Sequence, residues 1–130
     1  MEPLFLELDE VLEIHCDQIA SYGGGSGIRD MALLQSALAM PRAGIGEAYF
    51  HADIIEMAGA YLFHIVKNQP FVDGNKRVGA VAAFIFLKLN GYGLKMTNPA
   101  FEKTVRAVAD GSLDKTALTV VLRKYVKAEN

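Results

Sequence analysis

The 130-residue chain has one cysteine, no tryptophan and no excess of basic residues. A single cysteine, Cys16, excludes an internal disulfide framework and any site built from several thiolates, and it favours a reducing compartment. With a net charge of −2, the chain lacks the global basic field that would attract nucleic acid or anionic lipid. Its longest apolar stretch, residues 78–87, is far shorter than the roughly 20 residues of a membrane span. No basic-then-apolar leader follows Met1. These absences predict a cytoplasmic protein.

What the chain does contain is enough apolar material for one folded unit. Hydrophobic residues make up 52% of the sequence, which excludes an intrinsically disordered chain. The length fits one compact domain, so we predict a single domain over residues 1–130.

Apolar spacing and stop signals predict an all-α bundle of about six helices. We expect helices over roughly residues 8–20, 30–40, 52–68, 74–90, 98–110 and 112–127. The fourth is apolar all round in its middle, which predicts a buried central helix. A short strand near residues 4–7 or a small hairpin near residues 42–49 is compatible with the pattern.

Some residues are best interpreted as structural. Five are predicted to lie in the core: Met57, Tyr61, Phe63, Phe84 and Phe86. Cys16 is interpreted as a small hydrophobe on the first helix. The glycine-rich run at residues 23–27 predicts a flexible loop. It lacks the Lys-Ser/Thr ending of a phosphate-binding P-loop, and no clear strand precedes it.

The residues that indicate chemistry are concentrated between the third and fourth helices. Gly74, Asn75 and Lys76 are predicted to form the first turn of the fourth helix, where unpaired N–H groups and the helix dipole favour an anion. Lys76 and Arg77 add full positive charges. Asp73 is an oxygen ligand placed to bind Mg²⁺. Together these features favour a nucleoside-triphosphate site, whereas the structural alternative is an Asp-Gly-Asn turn followed by a solvated Lys-Arg pair.

Residues 70–77, Pro-Phe-Val-Asp-Gly-Asn-Lys-Arg, resemble the signature loop of the Fic/Doc (Fido) family in the form found in death-on-curing toxins. Residues 22–37 and 86–92 are also similar to that family, and the resemblance extends over residues 4–126. It implies an α-helical Fic/Doc fold and transfer of a phosphate-containing group from ATP, with Mg²⁺, to a protein hydroxyl. Adenylyl-transferring members usually have glycine at the position of Lys76, whereas the phosphoryl-transferring toxins of the family resemble this chain and modify elongation factor Tu.

The resemblance also implies a role for each residue of the loop. Asp73 would bind Mg²⁺, Gly74 and Asn75 would form the anion pocket, Lys76 and Arg77 would stabilise the transferring group, and Phe71 would be a buried anchor. The family's motif begins with a histidine that acts as the general base, and here that position is Gln69. Glutamine has no useful proton affinity near neutral pH, and loss of such a base typically costs on the order of 10²–10⁴ in rate. The substitution fits both a histidine replaced to allow production of a toxic protein and a naturally inactive relative.

No other histidine is a credible replacement for that base. His15 and His64 lie on apolar helical faces and are interpreted as structural, whereas His51 follows a loop and is expected to cap a helix or face solvent. Arg29 and Asp30 fit either a local ion pair or a reach to the mouth of the site.

The resulting hypothesis is a toxin kinase of a toxin–antitoxin pair, impaired at Gln69. The chain has no obvious Ser/Thr-x-x-x-Glu inhibitory segment of the kind that some family members carry. We therefore expect inhibition by a small antitoxin whose tail binds as an amphipathic helix in a groove. The alternatives are a protein adenylyltransferase and an inactive pseudoenzyme that binds a nucleotide or an antitoxin.

Overall fold

The computed structural model describes residues 2–129, which form six helices and two short strand pairs. In chain order the elements are α1 (Leu8–Tyr22), α2 (Met31–Ala39), β1 (Gly44–Ile45), β2 (Ala48–Tyr49), α3 (Ile54–Asn68), α4 (Asn75–Leu89), β3 (Tyr92–Leu94), α5 (Asn98–Asp110), α6 (Lys115–Tyr125) and β4 (Val126–Ala128). The predicted all-α fold is confirmed, and the helices lie close to their predicted bounds. Within residues 2–129, no helix combines the length and the apolar character that a membrane crossing requires.

Side chains that accept hydrogen bonds from first-turn N–H groups explain where most helices begin. Asp30, Asp53, Thr97 and Asp114 cap α2, α3, α5 and α6 in this way. At α1, the Glu10 carboxylate accepts the N–H of Glu7 at 2.9 Å. Each such contact satisfies a donor that the helix itself leaves unpaired.

The core is centred on α3 rather than on α4. Nine residues of α3 are buried, against six of α4, because α3 packs against α2, α4, α5 and α6. The predicted burial of Met57, Tyr61 and Phe86 is confirmed. Phe63 is only partly buried. The core prediction for Phe84 is wrong, since that side chain lies on the solvent side of α4 and is 40% exposed.

The strands are few and short. β1 and β2 pair antiparallel, with Gly44 opposite Tyr49, which confirms the predicted hairpin. Residues 4–7 form no strand, and the Leu6 N–H instead donates to the Tyr61 hydroxyl at 2.9 Å. The antiparallel pairing of β3 with β4 was not predicted. The last helix was predicted to extend to residue 127, but the backbone becomes extended at Val126.

Two polar residues lie in environments opposite to those that the sequence predicted. Cys16 is exposed, because the buried stripe of α1 consists of Val11, Ile14 and His15. His51 is buried, with 9% of its surface exposed, rather than capping a helix or facing solvent. Burial lowers the pKa of His51, and the positive charge of Lys115 lowers it further.

Candidate functional site

The loop between α3 and α4 begins with a strained residue. Gln69 ends α3 with φ 47° and ψ 56°, in the left-handed region. Within residues 2–129 it is the only non-glycine residue with a positive φ. Such a conformation costs energy in any residue with a Cβ and is concentrated at functional sites. The side chain of Gln69 is exposed, so its amide is accessible at the start of the loop.

The segment at residues 27–30 fixes the first half of this loop. The Arg29 guanidinium donates from Nε to the Gln69 carbonyl at 2.7 Å and from Nη2 to the Asn68 carbonyl at 2.9 Å. The backbone N–H groups of Arg29 and Asp30 both donate to the Pro70 carbonyl. A cation at the negative end of α3 is electrostatically favourable. Arg29 therefore stabilises the strained end of α3.

The sequence left the roles of Arg29 and Asp30 open, and the structure gives them separate ones. Arg29 reaches the signature loop, as just described, whereas the Asp30 carboxylate accepts the N–H of Leu33 at 3.0 Å and caps α2. The predicted flexible loop is also hydrogen-bonded at its end, because the Val72 N–H donates to the Gly27 carbonyl at 3.1 Å.

Asn75 fixes the middle of the loop through its side chain. Its Oδ1 accepts the Phe71 N–H at 2.9 Å, and its Nδ2 donates to the Phe71 carbonyl at 3.1 Å. Phe71 itself is 1% exposed, which confirms its predicted burial. The Asn75 amide thus uses its oxygen and one Nδ2 hydrogen on Phe71, which leaves the second Nδ2 hydrogen and the backbone N–H of Asn75 to serve an anion pocket.

The N-terminus of α4 differs from the capped N-termini of the other helices. Its N-cap is Gly74, at φ 82°, and no side chain accepts a hydrogen bond there. The first-turn N–H groups have no partner within an α-helix, and together with the helix dipole they attract an anion. A cavity of about 450 Å³ opens at this point. Its lining residues are Val66, Gln69, Val72, Asp73, Gly74, Asn75, Lys76, Arg77 and Ala109.

The charged residues of the cavity differ in how far they are already engaged. Lys76 is exposed and forms no salt bridge within the part of the chain that the structure describes. Arg77 donates to the carbonyls of Gln18 and Gly23, at 3.3 and 3.0 Å, and so also fixes the C-terminal end of α1. Lys76 is thus the cation that remains for a ligand, whereas Arg77 has a structural task as well.

Asp73 lies exposed at the edge of the cavity, with part of its hydrogen-bonding capacity in use. Its Oδ2 accepts the Gly25 N–H at 2.9 Å. Glycine suits that segment, because a Cβ on Gly24 would lie 3.3 Å from the Asp73 carboxylate. Within residues 2–129, no group of three or more His, Cys, Asp or Glu residues is arranged to bind a metal ion. One free carboxylate oxygen beside an anion site is nevertheless the donor set with which proteins bind Mg²⁺ together with substrate phosphates.

Of the three histidines, His15 contacts the loop, whereas His64 and His51 lie beside Lys115. The His15 ring stacks on Phe71, and its Nε2 lies 2.9 Å from the Asp73 carbonyl oxygen. His64 lies 2.9 Å from the Lys115 ammonium, and burial together with that charge lowers the pKa of His64 to about 4. His51 packs beside the same lysine at the start of α6 and is likewise remote from the loop in its contacts.

Sequence reasoning thus missed the contact of His15 with the loop and left that of Arg29 undecided. His15 and Arg29 lie about 40 to 58 positions away from their partners in the chain. His15 was interpreted as structural on an apolar helical face, and Arg29 was left open between a local ion pair and a reach to the mouth of the site. The one available signal was their polarity, since a histidine on a buried stripe and an arginine beside a helix cap each need a partner.

Comparisons with known proteins identify the family of the chain. The model of the Fic/DOC family matches residues 5–87, which is more than half of the chain. The chain belongs to the Fic/Doc family. It is 36% identical over 74 residues to the protein named Toxin Doc of Mycolicibacterium smegmatis, a match that spans 57% of each chain. It is 27% identical over 122 residues to the protein named Protein kinase doc of Escherichia phage P1, covering 93% of this chain and 95% of that one. The family resemblance of residues 70–77 is thereby confirmed.

Proposed function

We propose that this Fic/Doc protein is a Doc-like toxin that transfers the terminal phosphoryl group of ATP to a protein hydroxyl, with a rate reduced by Gln69. The observation that carries the proposal is the uncapped N-terminus of α4, which opens into a cavity lined by Asp73, Lys76 and Gln69. The phage P1 relative is named Protein kinase doc, and this name supports phosphoryl transfer as the reaction class.

In this proposal the nucleotide phosphates bind at the first turn of α4. The N–H groups after Gly74 and the Lys76 ammonium stabilise charge on the phosphates, and this electrostatic work is the larger part of phosphoryl-transfer catalysis. Asp73 would bind Mg²⁺ through its free carboxylate oxygen, and the ion would neutralise charge between phosphates. Glycine suits position 74 because its φ of 82° is one that other residues rarely adopt, and a Cβ there would lie 3.3 Å from the Ile19 side chain.

Gln69 lies where the incoming hydroxyl would have to lose its proton. Its amide can orient that hydroxyl by hydrogen bonding but cannot take up the proton. Positioning and charge stabilisation remain, so we propose slow transfer rather than none. Family resemblance makes elongation factor Tu the proposed acceptor and the cytoplasm the proposed place of action.

Two other functions use the same cavity. A protein adenylyltransferase would transfer AMP, and the side chain of Lys76, where adenylyl-transferring members usually have glycine, argues against it. A pseudoenzyme would bind nucleotide or antitoxin without transfer, and the replacement of the base by Gln69 argues for it.

We also propose an antitoxin partner, as the names of the toxin relatives suggest. A second cavity of about 470 Å³ lies between α1, α4 and α5 and shares Lys76 and Arg77 with the first. Its floor includes the apolar side chains of Val81, Phe101 and Val105. An amphipathic helix with acidic residues would match that apolar floor and the basic edge, and it would end beside the nucleotide site.

Restoring the histidine tests the reaction. Gln69→His introduces a base whose ordinary pKa is about 6.5, and we expect transfer to rise at least ~10²-fold with little change in ATP affinity. Label transfer from γ-labelled and α-labelled ATP to purified elongation factor Tu and to a cell lysate separates the three functions. The matched control is Gln69→His/Asp73→Ala. Label from the α position would establish adenylyl transfer, and a Gln69→His variant as inert as the parent would leave the binding-only function.

A further inference from the structure

His15 connects α1 to the signature loop at two points. Its ring, only 4% exposed, stacks on Phe71 with a centroid distance of 4.0 Å and an interplanar angle of 8°. Its Nε2 lies 2.9 Å from the backbone oxygen of Asp73. A carbonyl oxygen only accepts, so Nε2 must carry the proton of this hydrogen bond. The ring therefore contacts both the buried anchor of the loop and the residue in position to bind metal.

The hydrogen bond fixes more than one atom of the loop. In a planar trans peptide the C=O and the following N–H point in opposite directions. Fixing the Asp73 carbonyl towards α1 therefore turns the Gly74 N–H away from α1. The Asp73 carboxylate is fixed independently, because its Oδ2 accepts the Gly25 N–H at 2.9 Å. With backbone and side chain both restrained, the remaining carboxylate oxygen has a defined position at the cavity edge.

We propose that His15 is a positioning residue for the metal–nucleotide site, acting through the Asp73 carbonyl. The inference rests on the proposed function, in which the cavity binds a nucleotide with a divalent cation. A side chain that only packed against Phe71 would need its ring and not its nitrogen. Groups that orient metal ligands typically contribute about 10–100-fold to metal affinity, and His15 stands in that relation to Asp73.

Two substitutions separate the hydrogen bond from the packing. His15→Phe keeps a flat ring on Phe71 and removes the donor. His15→Gln removes the ring and offers an amide N–H at a reach similar to that of Nε2. If His15 is a positioning residue, metal affinity should depend on the hydrogen-bond donor. If His15 only packs, metal affinity and melting temperature should both depend on the ring.

The experiment measures binding and needs no turnover, so it uses the full chain with Gln69 in place. Mn²⁺ replaces Mg²⁺ as a paramagnetic probe, and its binding in the presence of a non-hydrolysable ATP analogue is followed by electron paramagnetic resonance. We expect His15→Phe to weaken Mn²⁺ binding roughly 10-fold while its melting temperature stays close to that of the parent. We expect His15→Gln to melt earlier but to bind Mn²⁺ within about 3-fold of the parent, as the retained donor predicts. His64→Phe, the same change at a histidine that contacts Lys115 instead, should leave Mn²⁺ binding unchanged.

Each outcome decides one of the two claims. If the parent binds Mn²⁺ and His15→Phe binds it equally well, the positioning role is overturned and the proposed function stands. The role is also overturned if His15→Gln loses as much affinity as His15→Phe. If the parent binds no Mn²⁺ with the analogue, the proposed function fails, and the role of His15 fails with it.

Discussion

The N-termini of α3 and α4 belong to helices of equal length, 15 residues each, but they are built in opposite ways. α3 begins at Asp53, whose carboxylate accepts the Glu56 N–H at 2.9 Å and forms an ion pair with Arg123 at 2.7 Å. α4 begins at Gly74, with no side-chain acceptor and a cavity beside it. The first arrangement satisfies the helix from within the protein, whereas the second leaves that task to a ligand. The comparison identifies the N-terminus of α4 as the helix end at which the proposed ligand would take the place of a side-chain cap.

The strongest test of the difference removes the charges beside α4. We expect Arg77→Ala to weaken Mg·ATP binding by roughly 1–3 kcal/mol, the scale of a charged hydrogen bond. It should also lower the free energy of unfolding by about 1 kcal/mol, because the carbonyls of Gln18 and Gly23 lose their donor. Lys76→Ala should weaken binding by a similar amount without that loss of stability. Calorimetric titration and urea unfolding measure the two quantities, and unchanged ATP affinity in Arg77→Ala would contradict the site.

The matching test at α3 should change stability alone. Asp53→Ala removes the cap and the ion pair with Arg123, and we expect the free energy of unfolding to fall by about 1–2 kcal/mol with ATP affinity unchanged. Asp53→Asn keeps an acceptor for the Glu56 N–H and should lose only a few tenths of a kcal/mol. Urea denaturation measures both variants. A change in ATP affinity for Asp53→Ala would show that the two helix ends are not independent.

The third test concerns the pH dependence of stability that arises from His64, a residue of α3. Burial, with the charge of Lys115, lowers the pKa of His64 to about 4, so the unfolded chain takes up a proton first as the pH falls below 6.5. Stability from this group is present above pH 6.5 and is lost towards pH 4. We expect a loss of about 1 kcal/mol between pH 7 and pH 5, after allowance for partial exposure. The pKa of His51 is also lowered, so its contribution to stability changes with pH in the same direction. Urea unfolding of His64→Gln should show a flatter pH profile than the parent, and identical profiles would contradict the lowered pKa of His64.

The smallest expected effect is at Gln69, where the site carries backbone strain. Glycine adopts the left-handed conformation without penalty, so Gln69→Gly should raise the free energy of unfolding by about 0.5–1 kcal/mol. Thermal unfolding measures the change. Lys67→Gly, a glycine placed within α3 just before this position, should be destabilising by about 1 kcal/mol. A destabilised Gln69→Gly would mean that the side chain contributes more than the strain costs.

Local signals were sufficient for most of the fold. Pro70 and Gly111 mark the ends of α3 and α5, and the apolar spacing of α3 defines its buried face. The predictions that were wrong concern features that depend on residues distant in the sequence. Phe84 has the apolar character of a core residue, yet its side chain is 40% exposed on α4. Val126 leaves the last helix to pair with Leu94.

The candidate site was also predicted only in part. The residues of the loop itself, from Gln69 to Arg77, were identified from one contiguous segment, and all except Pro70 and Phe71 line the cavity. The division of tasks among them was not predicted. That the Asn75 amide bonds to Phe71, and that Arg77 reaches the end of α1, depends on how helices pack rather than on the residues of the loop.

The hydrogen bonds that α1 and residues 23–30 make to the loop have a consequence for the folding pathway. Arg29 and its acceptor Gln69 are 40 positions apart, and His15 and Asp73 are 58 apart, whereas α3 and α4 are neighbours in sequence and can pair early. A partly folded chain in which α1 and α2 have not docked therefore has both helices of the site but not the shape of its loop. The geometry of the proposed ligand site therefore requires these long-range contacts, and we expect a partly folded molecule that lacks them not to bind the ligand.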